Sequence, residues 1–164
     1  MANWISKLEN DFRRQKEQQD RAATAGQLQE DNARNVLECF VQANSSHINA
    51  VNRWFVEHGR RLEAIGQDIH IEVGSPYFPD SFRPYSGQLS VHCETPSHGG
   101  HSPLAIAIVE TGFVVKMMVA DEPVYRRFRL EQVTEDRVLG WLKWCVDLYS
   151  GGMTQWFARR NLPW

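Results

Sequence analysis

The most constraining feature of this sequence is a change in hydrophobic spacing at Gly66. Before it, residues 3–66 contain no proline, and apolar residues recur three or four positions apart, which is the spacing of helices that bury one face. After it, Ile69, Ile71 and Val73 alternate with polar residues, as in a strand with one buried face. A helical N-terminal third followed by strands predicts the α+β fold class.

The first part of the helical region carries little apolar surface. Apolar residues with the spacing of a coiled coil begin the chain, but residues 13–32 contain only one large aliphatic side chain, Leu28. The Gln, Glu, Lys, Arg and Ala residues of that segment favour a helix that buries little. We therefore predict an N-terminal helix or exposed helical connector over residues 1–32, and a single α+β domain over residues 33–164.

Residues 33–66 form a stronger helical pattern. Two adjacent apolar rows predict one or two helices packed on a core. The rows consist of Val36, Phe40, Ala43, His47, Ala50 and Trp54, and of Leu37, Val41, Ile48, Val51, Phe55, Leu62 and Ile65. The Asn-Ser-Ser segment 44–46 predicts either an N-cap between two helices or a bend within one helix. Gly66 is the predicted C-cap.

Five strand patterns follow, and the last four of them come in quick order. They cover residues 69–73, 88–94, 104–110, 113–120 and 124–133. Short links between successive strands predict an antiparallel meander of four or five strands, in which Pro123 stops the fourth strand. Between the first two strands, residues 75–87 hold three prolines and four aromatic residues, which predicts a structured loop.

The third and fourth strand patterns are apolar on both faces. Such strands belong inside a sheet that is covered on both sides. We predict the helical segment 33–66 on one side and a C-terminal helix or a second subunit on the other. Thr134 is the predicted N-cap of that C-terminal helix, which runs to about Tyr149.

Composition argues against several classes of function. The formal charge is −2 and the pI is about 6.3, so no overall field attracts nucleic acid or an anionic membrane.

The three cysteines are widely spaced and form no CxxC pair, which indicates reduced thiols and a cytoplasmic location. The N-terminus lacks the apolar core of a secretory signal. The longest apolar run, residues 104–109, is too short to span a bilayer. We predict no cofactor.

The stretch VHCETPSHGGHSP, residues 91–103, concentrates histidines and one cysteine. Its glycines, prolines and serines favour a polar turn between strands. The first alternative is a metal site or a thiol enzyme, with Cys93 as the nucleophile and a nearby histidine as the base. The candidate residues are His92, Cys93, Glu94, His98 and His101. Adjacent residues of a regular strand point to opposite faces, so His92 and Cys93 cannot both bind one metal there.

A basic strand provides the second alternative. Arg126, Arg127 and Arg129 lie in the last strand pattern, where they either bind an anionic ligand or nucleic acid or protect an exposed sheet edge from pairing. Edge protection is the favoured interpretation.

The C-terminal region is rich in aromatic residues, which favours a role in protein–protein interaction. Trp and Arg are frequent anchors of protein interfaces, and the C-terminal aromatic residues are the candidate partner-binding set. They are Trp141, Trp144, Trp156, Phe157 and Trp164. The sequence contains no Gly-x-Ser-x-Gly, His-Glu-x-x-His or phosphate-loop pattern. We therefore predict a non-enzymatic protein–protein interaction module, such as an adaptor, chaperone or inhibitor-like accessory protein, that self-associates as a homodimer or binds a protein partner.

Overall fold

A computed structural model describes residues 3–74, 91–96, 101–119, 121–149 and 155–164. The predicted loop 75–87 lies outside these residues. In chain order, the described elements are α1 (Asn3–Ala43), α2 (Ser45–Ala64), β1 (His70–Val73), β2 (Val91–Thr95), β3 (His101–Val109), β4 (Gly112–Val119), β5 (Glu122–Phe128), a 3₁₀ helix (Leu130–Gln132), α3 (Glu135–Tyr149) and α4 (Gln155–Arg160). The α+β prediction is confirmed.

The strands form one antiparallel sheet in the order β1-β2-β3-β4-β5. The predicted meander is therefore confirmed, and β5 is an edge strand. Two boundaries differ from the prediction. Strand β3 begins at His101, so Pro103 lies within a strand. Pro123 lies in β5 opposite Met118 and does not separate two strands, because an edge strand tolerates a residue without an amide hydrogen.

The chain divides into two compact units, one ending at Cys39 and the other running from Phe40 to Trp164. In the first unit, α1 is one continuous helix through residues 13–32, and Gly26 does not interrupt it. The polar sequence of that segment thus forms a helix, as its propensities predict. The predicted domain boundary between residues 32 and 33 stays a prediction.

The helices α1 and α2 are separated at Asn44, but its role differs from the predicted N-cap. Its side-chain amide donates to the Phe40 carbonyl oxygen at 2.8 Å, so it satisfies the end of α1, and it makes no capping hydrogen bond to α2. The prediction that Gly66 ends the helix is confirmed. Gly66 has φ of 83°, and the amides of Gly66 and Gln67 bond back to Glu63 and Leu62, as in a Schellman motif.

Both long helices of the second unit pack on the same face of the sheet, which we call the inner face. Its central side chains are buried, and the strand registers place Leu104 opposite Met117 and Ile106 opposite Val115. From α2, Gly59 approaches Ile71 so closely that an added Cβ would lie 2.0 Å from Ile71 Cγ1. The contact requires glycine at this position.

Helix α3 reaches the inner face through Trp141. Its ring stacks on Phe55 of α2 at 6.3 Å between centroids and meets Phe128 of β5 at 5.3 Å. At the start of α3, the Thr134 hydroxyl accepts a hydrogen bond from the Arg137 amide at 3.4 Å, which confirms the predicted N-cap. Of the two covers predicted for the opposite face, the C-terminal helix is wrong, because Trp141 places α3 beside α2 over the inner face. The second subunit stays a prediction.

The opposite face is also buried. Ala105, Ala107, Val109 and Val114 form a small apolar cluster there, against which Tyr125 packs. This burial confirms that strands apolar on both sides lie inside a covered sheet. Lys116 lies half-buried on the same face, and burial lowers the pKa of its ammonium group.

Candidate functional site

The histidine-rich stretch lies mostly outside the described side chains. His98 is outside the described residues, while His92 and His101 are described as backbone only, paired with Ala105 and Thr95. Among the described residues, no group of three His, Cys, Asp or Glu side chains is close enough to hold a metal ion. The metal prediction for this stretch therefore stays a prediction.

Cys93 belongs to a buried thiol pair. It lies on the inner face opposite Leu104, is fully buried, and is a neighbour of the Cys145 thiol of α3. Burial and the neighbouring Cys93 raise the pKa of the Cys145 thiol well above its ordinary value, so this group stays protonated at neutral pH. In this conformation Cys93 is part of the packing between sheet and helix, and no substrate reaches it.

The candidate aromatic anchors occupy several environments. Trp141 is fully buried and donates a hydrogen bond from Nε1 to the Pro163 carbonyl oxygen at 2.9 Å. Trp144 is buried too, and its Nε1 has no acceptor within the described part of the chain. Trp164 is half-buried, 5.9 Å from the Phe128 ring. The side chains of Trp156 and Phe157 are outside the described ones.

These positions change what the aromatic set contributes. Trp141 and Trp144 form part of the core between α3 and the rest of the second unit, so they supply no exposed apolar surface to a partner. The partner-binding role of the set stays a prediction. Large apolar side chains that are exposed lie elsewhere among the described residues, on α1 and α2 above all.

The three candidate anion-binding arginines do not form one cluster. Arg126 lies opposite Val115 and Arg127 opposite Val114, on opposite faces of β5, while Arg129 follows the end of the strand. The Arg126 guanidinium stacks at 5.6 Å from the Phe128 centroid and 5.7 Å from that of Trp164, contacts that stabilise aromatic packing. Arg137 also lies over Phe128, at 5.0 Å, a neighbour that the sequence pattern did not indicate.

The first three turns of α1 carry an exposed apolar row, which we call the α1 row. It consists of Trp4, Ile5, Leu8 and Phe12, whose side chains are 49–71% exposed. At about 100° per residue, the four side chains fall within an arc of about 100° on one side of the helix. Such an arc is the usual width of a helix face that packs against another surface.

Charged residues border the α1 row on both sides. By the same helical geometry, Glu9 lies about 40° beyond Ile5, and Asp11 about 20° beyond Trp4. The first turns of α1 therefore present an apolar face with a carboxylate at each edge. After Phe12 the helix becomes basic, with Arg13, Arg14 and Lys16 in the next turn.

A second exposed apolar feature is a groove between α2 and α3, which we call the α2/α3 groove. It has a volume of about 640 Å³ and is lined by His58, Arg61, Leu62 and Ile65 on one side and by α3 from Leu139 to Val146 on the other. Ile65 is 73% exposed. Leu139, Leu142 and Val146 share one side of α3 at i, i+3 and i+7 spacing, and this spacing is the sequence signal for the groove wall.

The rim of the groove is basic. Arg61 projects from α2 and Lys143 from α3, and the described lining residues include no carboxylate. His58 pairs with Glu135 at 2.7 Å, and Lys143 pairs with Asp147. Lys143 is 74% exposed, so its ion pair with Asp147 is weak and exchangeable. The groove thus combines an apolar floor with cations on both walls.

No described helix contains a stretch long and apolar enough to cross a membrane. Comparisons of the chain with protein-family models, with curated proteins and with solved structures find no match.

Proposed function

We propose that this protein is a non-enzymatic protein–protein interaction module that self-associates through the α1 row. The carrying observation is the exposure of Trp4, Ile5, Leu8 and Phe12 on one side of a helix. An exposed cluster that includes two large aromatic residues is typical of an interaction site, whereas apolar residues scattered singly over a surface need no explanation.

The energetic argument favours association. Full burial of a large apolar side chain stabilises by about 1.5–3 kcal/mol, and each copy contributes four such side chains. Association costs an estimated 4–15 kcal/mol in lost freedom of motion. Because these side chains are 49–71% exposed, burying all eight of them in a symmetric pair gains about 7–14 kcal/mol, which is of the same order as that cost, whereas the burial of one side chain is not.

The biological role in this proposal is that of an adaptor, chaperone or inhibitor-like accessory protein. The buried state of Cys93 and the separation of the three arginines lend no support to a thiol enzyme or an anion binder. The odd number of widely spaced cysteines supports a cytoplasmic location as part of the same proposal.

The test is the mass of the protein in solution, with matched leucine variants. Leu8 and Leu28 are both 60% exposed on α1, but Leu28 lies on the side of the helix away from the α1 row. We expect a mass of twice 18.9 kDa for the wild type by analytical ultracentrifugation at micromolar concentration. Leu8→Ser should shift the mass to the monomer, and Leu28→Ser should not.

A wild-type monomer across the accessible concentration range would contradict the proposal. An equal effect of the two leucine variants would contradict the role of the α1 row, since both lose the same exposed side chain.

A further inference from the structure

We propose that the α2/α3 groove binds the α1 row of a second copy of this chain. This inference rests on the proposed function, because it names the surface that receives the row. It adds that the two copies associate by exchange, each inserting its first three helical turns into the groove of the other. The mode of recognition is an amphipathic helix in an apolar groove, anchored at i, i+4 and i+8.

The dimensions of the two surfaces agree. At 1.5 Å per residue, Trp4 and Phe12 are separated by about 12 Å along the helix axis. On the same basis, the groove wall of α2 from His58 to Ile65 and that of α3 from Leu139 to Val146 each span about 10.5 Å. Trp4, Leu8 and Phe12 therefore cover the whole length of the groove with one anchor per turn.

The charges are complementary as well. The α1 row has Glu9 at one edge and Asp11 at the other, and the groove has Arg61 on one wall and Lys143 on the other. A helix that lies along the groove brings one carboxylate to each cation. Arg61 has no ion-pair partner among the described residues, and Lys143 has only an exposed one, Asp147. The fit ends after Phe12, where Arg13 and Arg14 reverse the sign of the helix.

Symmetry gives the arrangement a closed form. Each copy supplies one row and one groove, so in a pair related by a twofold axis the two contacts are identical and both rows and both grooves are covered. The same apolar area is buried twice per dimer, which strengthens the pair without any new type of contact.

The first experiment replaces Gly140, a residue that lines the groove, by a larger residue. An added Cβ there meets nothing within 4 Å, so a long side chain at this position occupies space at the groove wall without disturbing the core. We expect Gly140→Met to weaken dimerisation by at least about tenfold, with Gly140→Ala as the matched control that leaves the dissociation constant within about threefold. Circular dichroism confirms that both variants are folded.

The second experiment exchanges the charges. One variant carries Arg61→Glu and Lys143→Glu in the groove, and the other carries Glu9→Lys and Asp11→Lys on the row. Each variant alone brings like charges together and should be monomeric where the wild type is dimeric. An equimolar mixture restores both attractive contacts, so we expect a heterodimer to form with a dissociation constant within about tenfold of the wild type.

The outcomes separate the two proposals. A dimer that Leu8→Ser dissociates, but that Gly140→Met and the groove charge variant leave unchanged, overturns the groove as the receptor and leaves the proposed function standing. A wild-type monomer overturns both. If Gly140→Met does not fold, the charge exchange decides, and a mixture that stays monomeric counts against the groove.

Discussion

The first turns of α1 and the layer between α3 and the sheet contain the same kinds of side chain in opposite environments. Trp4 and Phe12 are 62% and 71% exposed, whereas Trp141 and Phe128 are buried and touch each other. Trp141 is buried because α2, β5 and the C-terminal segment all converge on it. The comparison teaches that aromatic type does not predict burial, since a single helix cannot bury its own side chains.

We expect the largest loss of stability from truncating a leucine in the packed layer, and we compare it with the truncation of an exposed leucine on α1. Leu104 of β3 is 1% exposed, and its replacement by Ala should destabilise the protein by about 3 kcal/mol or more, because a cavity is left in a packed core. Leu28→Ala on α1 should change the free energy of unfolding by less than about 0.5 kcal/mol. Urea unfolding followed by circular dichroism measures both. Similar losses at the two positions would break the contrast between the regions.

The second prediction concerns Gly112 in the packed region, where we expect a larger residue to destabilise the protein. Gly112 has φ of 145°, and a Cβ there would lie 2.1 Å from the Phe128 carbonyl oxygen. Because neither the dihedral angle nor the backbone neighbour can relax cheaply, Gly112→Ala should cost about 3 kcal/mol. Gly140→Ala is the matched control in the same unit, and it should be neutral or stabilising. Thermal unfolding of the two variants checks the difference.

Thiol reactivity compares the regions without mutation. Cys39 is exposed on α1, while Cys93 and Cys145 are buried. At neutral pH we expect an alkylating reagent to modify Cys39 roughly a hundred times faster than the buried pair, since the latter reacts only after opening. Equal rates for all three cysteines, read by mass spectrometry, would contradict the buried pair.

The same pair predicts a pH dependence of stability. The pKa of Cys145 is raised in the folded state, so its contribution is fully present below the pKa of the unfolded thiol. That contribution is lost as the pH rises from there through the folded-state pKa. Stability of the wild type should therefore fall in mildly alkaline solution more than that of Cys145→Ala, in urea unfolding at a series of pH values.

The smallest effect concerns the helix itself. A Cβ at Gly26 meets nothing within 4 Å, so Gly26→Ala should stabilise α1 by about 1 kcal/mol. The variant should therefore keep more of its helical circular dichroism signal than the wild type when both are heated. Gly66→Ala should act in the opposite sense by about the same amount, because the C-cap requires a positive φ. No change from Gly26→Ala would mean that residues around position 26 are not helical in solution.

Much of the fold could be predicted from particular local patterns. The change of spacing at Gly66 predicted the order of helices and strands, and the short connections predicted the meander. Errors arose where the chain environment decides a local feature. Pro123 lies within a strand because that strand is at the sheet edge, and Asn44 bonds to Phe40 behind it rather than to α2 ahead of it.

Less of the candidate site could be predicted. The α1 row is visible in the sequence because its residues are close together, but its exposure is not, since exposure depends on what else packs there. The α2/α3 groove is formed by residues about 80 positions apart, and the partnership of Cys93 with Cys145 joins a strand to a distant helix. The spacing of Leu139, Leu142 and Val146 indicates one wall of the groove, but no local spacing reveals which two helices form the groove or which two thiols are neighbours.

The sequence by itself determined which segments are helices and which are strands, because hydrophobic spacing and caps act over a few residues. Only the tertiary structure decided that α2 and α3 share one face of the sheet, that Trp141 and Trp144 are core residues, and that a basic-rimmed groove lies between the helices. The physical reason is that burial and grooves are properties of several elements packed together, and the packing of distant elements is not encoded in the spacing of any one of them.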